Sequence, residues 1–78
     1  MIKIGDEIMY RPSWGSGPLT LVCVEHMSVT VEPRSKYGDD VEEVTWDLIE
    51  ENRVVFCLDN GKWAYSDQVD LDATKRLH

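Results

Sequence analysis

Seventy-eight residues place this chain near the lower end of the sizes that fold around one apolar core without a metal or several disulfides, which excludes a multidomain architecture. With 42% hydrophobic and 29% charged residues, the composition has enough apolar side chains to fold and is unlike that of disordered chains. A formal net charge of −7 repels phosphate backbones, so direct nucleic-acid binding is not expected.

The opening Met1-Ile2-Lys3-Ile4-Gly5-Asp6 reaches a charge and a glycine too early for the apolar core of a signal peptide, and no later apolar run approaches a membrane span. The expectation is a cytoplasmic protein with no membrane partner. Gly5-Asp6 then suits a turn feeding an edge-type strand through Ile8-Met9-Tyr10. From Arg11 to Pro18 the prolines and glycines concentrate, so neither helix nor central strand can run through that stretch, and a long loop carrying Trp14 is expected.

Leu19–Val24 and Ser28–Glu32 are both rich in β-branched residues and read as a hairpin joined by Glu25-His26-Met27, with Val29 and Val31 on one face and Thr30 and Glu32 on the other. A polar loop from Pro33 to Asp40 leads into the acidic segment. There, a strand fragment near 43–46 and one helical turn begun by Asp47 are expected. Arg53–Leu58 and Lys62–Tyr65 flank Asn60-Gly61, which supplies the positive backbone angles of a tight hairpin. Ser66–Val69 reads as a closing helical turn. Residues 1–70 thus form one domain, and 71–78 a frayed or weakly helical tail.

Five short strands with one or two helical turns point to an all-β, partly open, SH3-like barrel, since bending the sheet round on itself removes edges that so short a chain cannot cover. The segments Ile4-Gly5-Asp6-Glu7-Ile8-Met9-Tyr10-Arg11-Pro12 and Leu58 to Val69 resemble the small SH3-like barrel proteins of bacteriophages and prophages. The resemblance covers both ends of the chain. It implies that fold and a phage or bacterial origin, with no catalytic residue to carry over.

All the net charge lies between residues 39 and 51, where Asp39, Asp40, Glu42, Glu43, Asp47, Glu50 and Glu51 occur without a Lys or Arg, leaving eight acids and eight bases elsewhere. A surplus confined in this way can create a local negative field. The leading expectation is therefore a non-enzymatic protein that meets the basic surface of a protein partner, a nucleic-acid-handling one whose phosphate track it occupies. An alternative is a peptide-binding or assembly module in which Trp14, Tyr37 and Trp46 line a groove. A third is a nucleotide-sequestering oligomer, disfavoured because the bases are balanced by acids.

No enzyme, cofactor or metal is expected. Cys23 and His26, with Cys57 approaching across a sheet, offer three zinc ligands where a structural site takes four, and only His78 remains. Cys23 and Cys57 read instead as buried, reduced core thiols, and Cys57 between Phe56 and Leu58 as unreactive. Trp63 or Tyr65 is expected to fill the core.

Overall fold

A computed structural model describes residues 1–78. Gly5 turns the chain after β1 (Ile2–Lys3) into β2 (Glu7–Tyr10), and a distorted turn, α1 (Pro12–Gly15), interrupts the long loop before β3 (Thr20–Val29). β4 (Asp39–Val41), β5 (Glu43–Val44) and α2 (Trp46–Glu50) carry the acidic segment, followed by the hairpin β6 (Val54–Leu58) and β7 (Trp63–Tyr65). A 3-10 turn (Ser66–Gln68) and α3 (Leu71–Arg76) end the chain. All strand pairings are antiparallel, so the fold is the small, partly open all-β type that the sequence favours.

β3 is the spine. β6 lies along one edge from Val24 to Val29, while the other edge takes β2 at Thr20–Cys23 and then β4 at Met27–Val29. The hairpin expected inside this stretch does not form. Glu25-His26-Met27 contains none of the residues that favour a reversal, and the chain instead continues through a register shift between Val24 and His26. That bulge bends the strand and keeps Met27 fully buried. The strand stops at Val29, which leaves Val31 exposed, because the chain turns away toward Pro33.

The β6–β7 hairpin forms where Asn60-Gly61 placed it, although with a different turn. Only Gly61 has positive φ (80°), Gly61 N–H donates to the Leu58 carbonyl, and Leu58 N–H donates to that of Lys62. This is a three-residue connection closed by a glycine bulge, so the turn needs one left-handed residue and not two. Gly38 has a different task. A Cβ there would collide with the Val29 backbone, so only glycine lets the loop come close enough to start β4.

Inward-facing side chains of every strand meet in one cluster, in which Ile2, Ile8, Met27, Phe56 and Ala64 have no exposed surface. The barrel is joined at its ends by one bridge, Tyr10 to Val69, supported by Arg11 N–H to the Gln68 carbonyl (2.8 Å) and Asp70 N–H to that of Met9 (2.9 Å). Beyond this bridge it stays open.

The terminal segment differs from the frayed tail expected. Asp70 caps α3 by accepting from Ala73 N–H, and Thr74 is completely buried against β2, its hydroxyl accepting from Met9 N–H (3.0 Å) and donating to the Met9 carbonyl (3.3 Å). A hydroxyl here substitutes for a strand neighbour, satisfying backbone groups that would otherwise be desolvated without a partner. Ser66 does the same for both backbone groups of Val54.

Candidate binding site

The acidic residues fall on three elements. Asp39 and Asp40 lie on β4, Glu42 and Glu43 at β5, and Asp47, Glu50 and Glu51 on α2 and its C-terminal end. Three of the seven have partners in the same chain. Asp40 meets His26 at 3.0 Å and Ser28 at 3.1 Å, Glu51 meets Arg53 at 3.3 Å, and Glu50 lies 3.9 Å from Lys75. The hydrogen bonds from His26 and then Ser28, with the nearby imidazole charge, hold the Asp40 carboxyl below the usual aspartate range. Asp39, Glu42, Glu43 and Asp47 make no ion pair, although Glu43 stands directly across from Lys3 in the β1–β5 ladder. Helix α2 is capped by Thr45, whose hydroxyl accepts from Leu48 N–H, two residues earlier than an Asp47 start.

The aromatic trio proposed from sequence is not assembled. Trp46 faces His78 (ring centroids 6.3 Å apart) and the Lys75 ammonium (5.4 Å), and packs on the core, whereas Tyr37 is 86% exposed with no ring neighbour. Trp14 instead meets Trp63 edge-on at 5.9 Å and Tyr65 at 6.1 Å, and those two rings are themselves perpendicular at 5.0 Å. Trp14 is 69% and Trp63 44% exposed, so the cluster lies open at the surface. Tyr65 is buried, as expected of one of the two hairpin aromatics, but beneath these outer rings and the Arg34 guanidinium, 4.6 Å above its face.

The hairpin register explains the cluster. Phe56 and Ala64 point inward, so their neighbours Cys57, Trp63, Val55 and Tyr65 point outward. The same alternation corrects the reading of the cysteines: Cys57 is exposed, opposite His26, and Cys23 is half-buried. Both are free thiols, and partial burial together with the carboxylates of Asp59 and Glu7 pushes the Cys23 thiol up, away from the reactive thiolate. His26 is engaged by Asp40 and His78 by the Glu7 carbonyl (2.9 Å), and although Cys57 stands opposite His26, no three of the four nominal zinc ligands come together.

Trp14 is delivered by an unusual backbone. Ser13 and Trp14 both adopt left-handed angles (φ 57° and 60°), followed by Gly15 at 94°. Two consecutive non-glycine residues there cost roughly 1–2 kcal/mol each, and such strain concentrates at functional segments. Arg34, another left-handed residue, anchors the opposite loop by pairing with Asp67 at 2.6 Å and donating its backbone N–H to the Asn52 carbonyl.

Trp63 forms a ridge between two shallow hollows. One, of 360 Å³, is lined by Ser13, Trp14, Gly61, Lys62, Trp63 and Gln68. The other, of 370 Å³, is lined by Lys36, Val55, Cys57 and Trp63. Each contains one lysine and no carboxylate. Sequence reasoning missed Trp63 as a surface residue because both hairpin aromatics look equally apt for the core. The period-two alternation from Phe56 through the three-residue turn places both on the outer face; what separates them is that Trp14, Trp63 and Arg34 cover Tyr65, which no local sequence signal shows.

No helix is long and apolar enough to cross a membrane. No family model, characterised protein or solved structure matches this chain.

Proposed function

We propose that this protein is a non-enzymatic binding module whose contact surface is the Trp14–Trp63–Tyr65 cluster, engaging a peptide segment of a protein partner. The observation that carries this reading is an indole 69% exposed on a strained turn, set edge-on against a second exposed indole. Contiguous exposed aromatic surface is disfavoured in a monomer unless a partner covers it, and rigid aromatic rings lose little entropy on binding. The test is Trp14→Ala. Partner capture should be abolished while the melting temperature changes little, and a large stability loss would assign the ring to the fold instead.

A second reading, in which the acidic segment meets a basic partner surface, is favoured by the four carboxylates without ion pairs, Asp39, Glu42, Glu43 and Asp47. It is the weaker one, because Asp40, Glu50 and Glu51 already have cations or an imidazole beside them. Neutralising the four unpaired acids should weaken capture of such a partner and flatten its salt dependence. Affinity indifferent to both would remove this reading. A phage or prophage origin and a cytoplasmic setting remain proposals resting on residues 4–12 and 58–69 and on the early charged residues.

A further inference from the structure

The strand order of the main sheet ends at β7, whose outer edge has no strand partner. Along β6–β7 the ladder bonds run through Leu58 with Lys62 and, by alternation, Phe56 with Ala64, so the N–H and C=O of Trp63 point to the open side. Tyr65 confirms the direction: its N–H also turns outward, and is taken by Gln68 Oε1 at 3.0 Å. The Gln68 amide nitrogen is bound to the Arg11 carbonyl, so both ends of this side chain are committed. The free backbone groups of Trp63 therefore face the hollow walled by Trp14 and Lys62.

Charge narrows the occupant. Lys62 and Lys36, one in each hollow beside the Trp63 indole, form no ion pair, although the chain carries fifteen acids to eight bases. Two ammonium groups flanking exposed indoles match carboxylates flanking an apolar side chain. A polynucleotide would find only two lysines lining these hollows, on a chain of net charge −7, and would have no use for a strand edge.

Resting on the aromatic-surface reading above, we propose that the ligand is an extended acidic and apolar peptide segment that adds to the outer edge of β7. Its backbone pairs with the N–H and C=O of Trp63, one apolar side chain seats between Trp14 and Trp63, and its carboxylates meet Lys62 and Lys36. Main-chain pairing supplies affinity in such strand addition, and the flanking side chains supply selectivity.

Selection of displayed random dodecapeptides on the full chain, with synthesis of the recovered sequence, tests this. The expected consensus is acidic around an apolar residue, binds about ten-fold more weakly to Lys62→Glu, is lost with Trp14→Ala, and slows amide hydrogen exchange at Trp63. Recovery of basic or neutral peptides that need Trp14 but ignore Lys62→Glu, or an unprotected Trp63 amide, overturns this inference and leaves the aromatic surface standing. Peptides indifferent to Trp14→Ala, no enrichment at all, or preferred capture of an oligothymidylate dodecamer overturn both.

Discussion

Two tryptophans of this protein have nearly the same inventory of neighbours and opposite situations. Trp46 has a ring at its edge, His78, and a cation near its face, Lys75. Trp14 has Trp63 and Tyr65, with Arg34 on the far ring. Trp46, however, opens a helix capped by Thr45 and rests on the core, so its indole joins α2 to α3 over apolar ground. Trp14 occupies a left-handed turn and rests on the exposed Trp63 and on Tyr65, a ring outside the core cluster. Ring contacts alone do not separate a structural aromatic from a recognition aromatic; what supports those rings, and whether the backbone beneath is relaxed, does.

Paired substitutions put this contrast at risk most directly. Trp46→Ala removes a half-buried indole that bridges two helices and should cost about 2 kcal/mol, lowering the melting temperature by roughly 8–16 °C for a domain of this size. Trp14→Ala should cost less than about 1 kcal/mol, as an exposed substitution. Thermal unfolding followed by circular dichroism decides. Equal losses would dissolve the distinction and return Trp14 to the fold.

The comparison also depends on α3 being a fixed part of the domain, since Trp46 packs on its residues. Thr74→Val keeps shape and volume but leaves Met9 N–H buried with no acceptor, which should cost about 1–3 kcal/mol. Ser66→Ala, which strips both Val54 backbone groups of their partner, should fall in the same range. A Thr74→Val protein as stable as the parent would show that the terminal helix is held loosely and that Trp46 has no firm neighbour.

Local signals in the sequence identified the features that are local. Asn60-Gly61 placed the hairpin, Gly5-Asp6 the first turn, and the prolines and glycines of residues 12–18 the long loop, because each acts through its own backbone angles. What stayed illegible depended on distant partners. The continuity of β3 through Glu25-His26-Met27 rests on β6 and β4 bracketing it, and α3 is ordered by a hydroxyl that finds the backbone of Met9, sixty-five residues earlier. For the site, Trp14 was recognisable from its setting between Pro12 and Gly15. Its true neighbours were not, because Trp63 and Tyr65 reach it through the β7 register, and Tyr37 and Trp46 had equal claim on sequence grounds.

The strained turn under Trp14 offers a smaller and more specific probe. Glycine at position 13 adopts the left-handed angles without the Cβ penalty, although the unfolded chain gains freedom, so Ser13→Gly should stabilise by about 0.5 kcal/mol. The Ser16 hydroxyl, which donates to the Ser13 carbonyl at 2.7 Å, is unaffected by the change. If the turn is strained to hold the indole in place, ligand affinity should fall slightly as stability rises. A destabilised Ser13→Gly would mean that the serine angles carry no strain.

The weakest expected effect lies in the acidic segment, at Asp40 of β4. Hydrogen bonds from His26 and Ser28 lower the Asp40 pKa below its ordinary 3.8, so the ionised carboxylate favours the folded state. That contribution is present above 3.8 and disappears as the pH falls through the lower folded value, where both states bind the proton. Asp40→Asn should therefore lower the melting temperature slightly at pH values above that range, with the gap to the parent closing on further acidification and on addition of salt, since the pair is exposed to solvent. A gap that persists below the folded pKa would mean that the asparagine disturbs the packing of β4 on β3. In that case the His26–Asp40 contact would be a matter of shape, and the segment would have one more carboxylate free to face a partner.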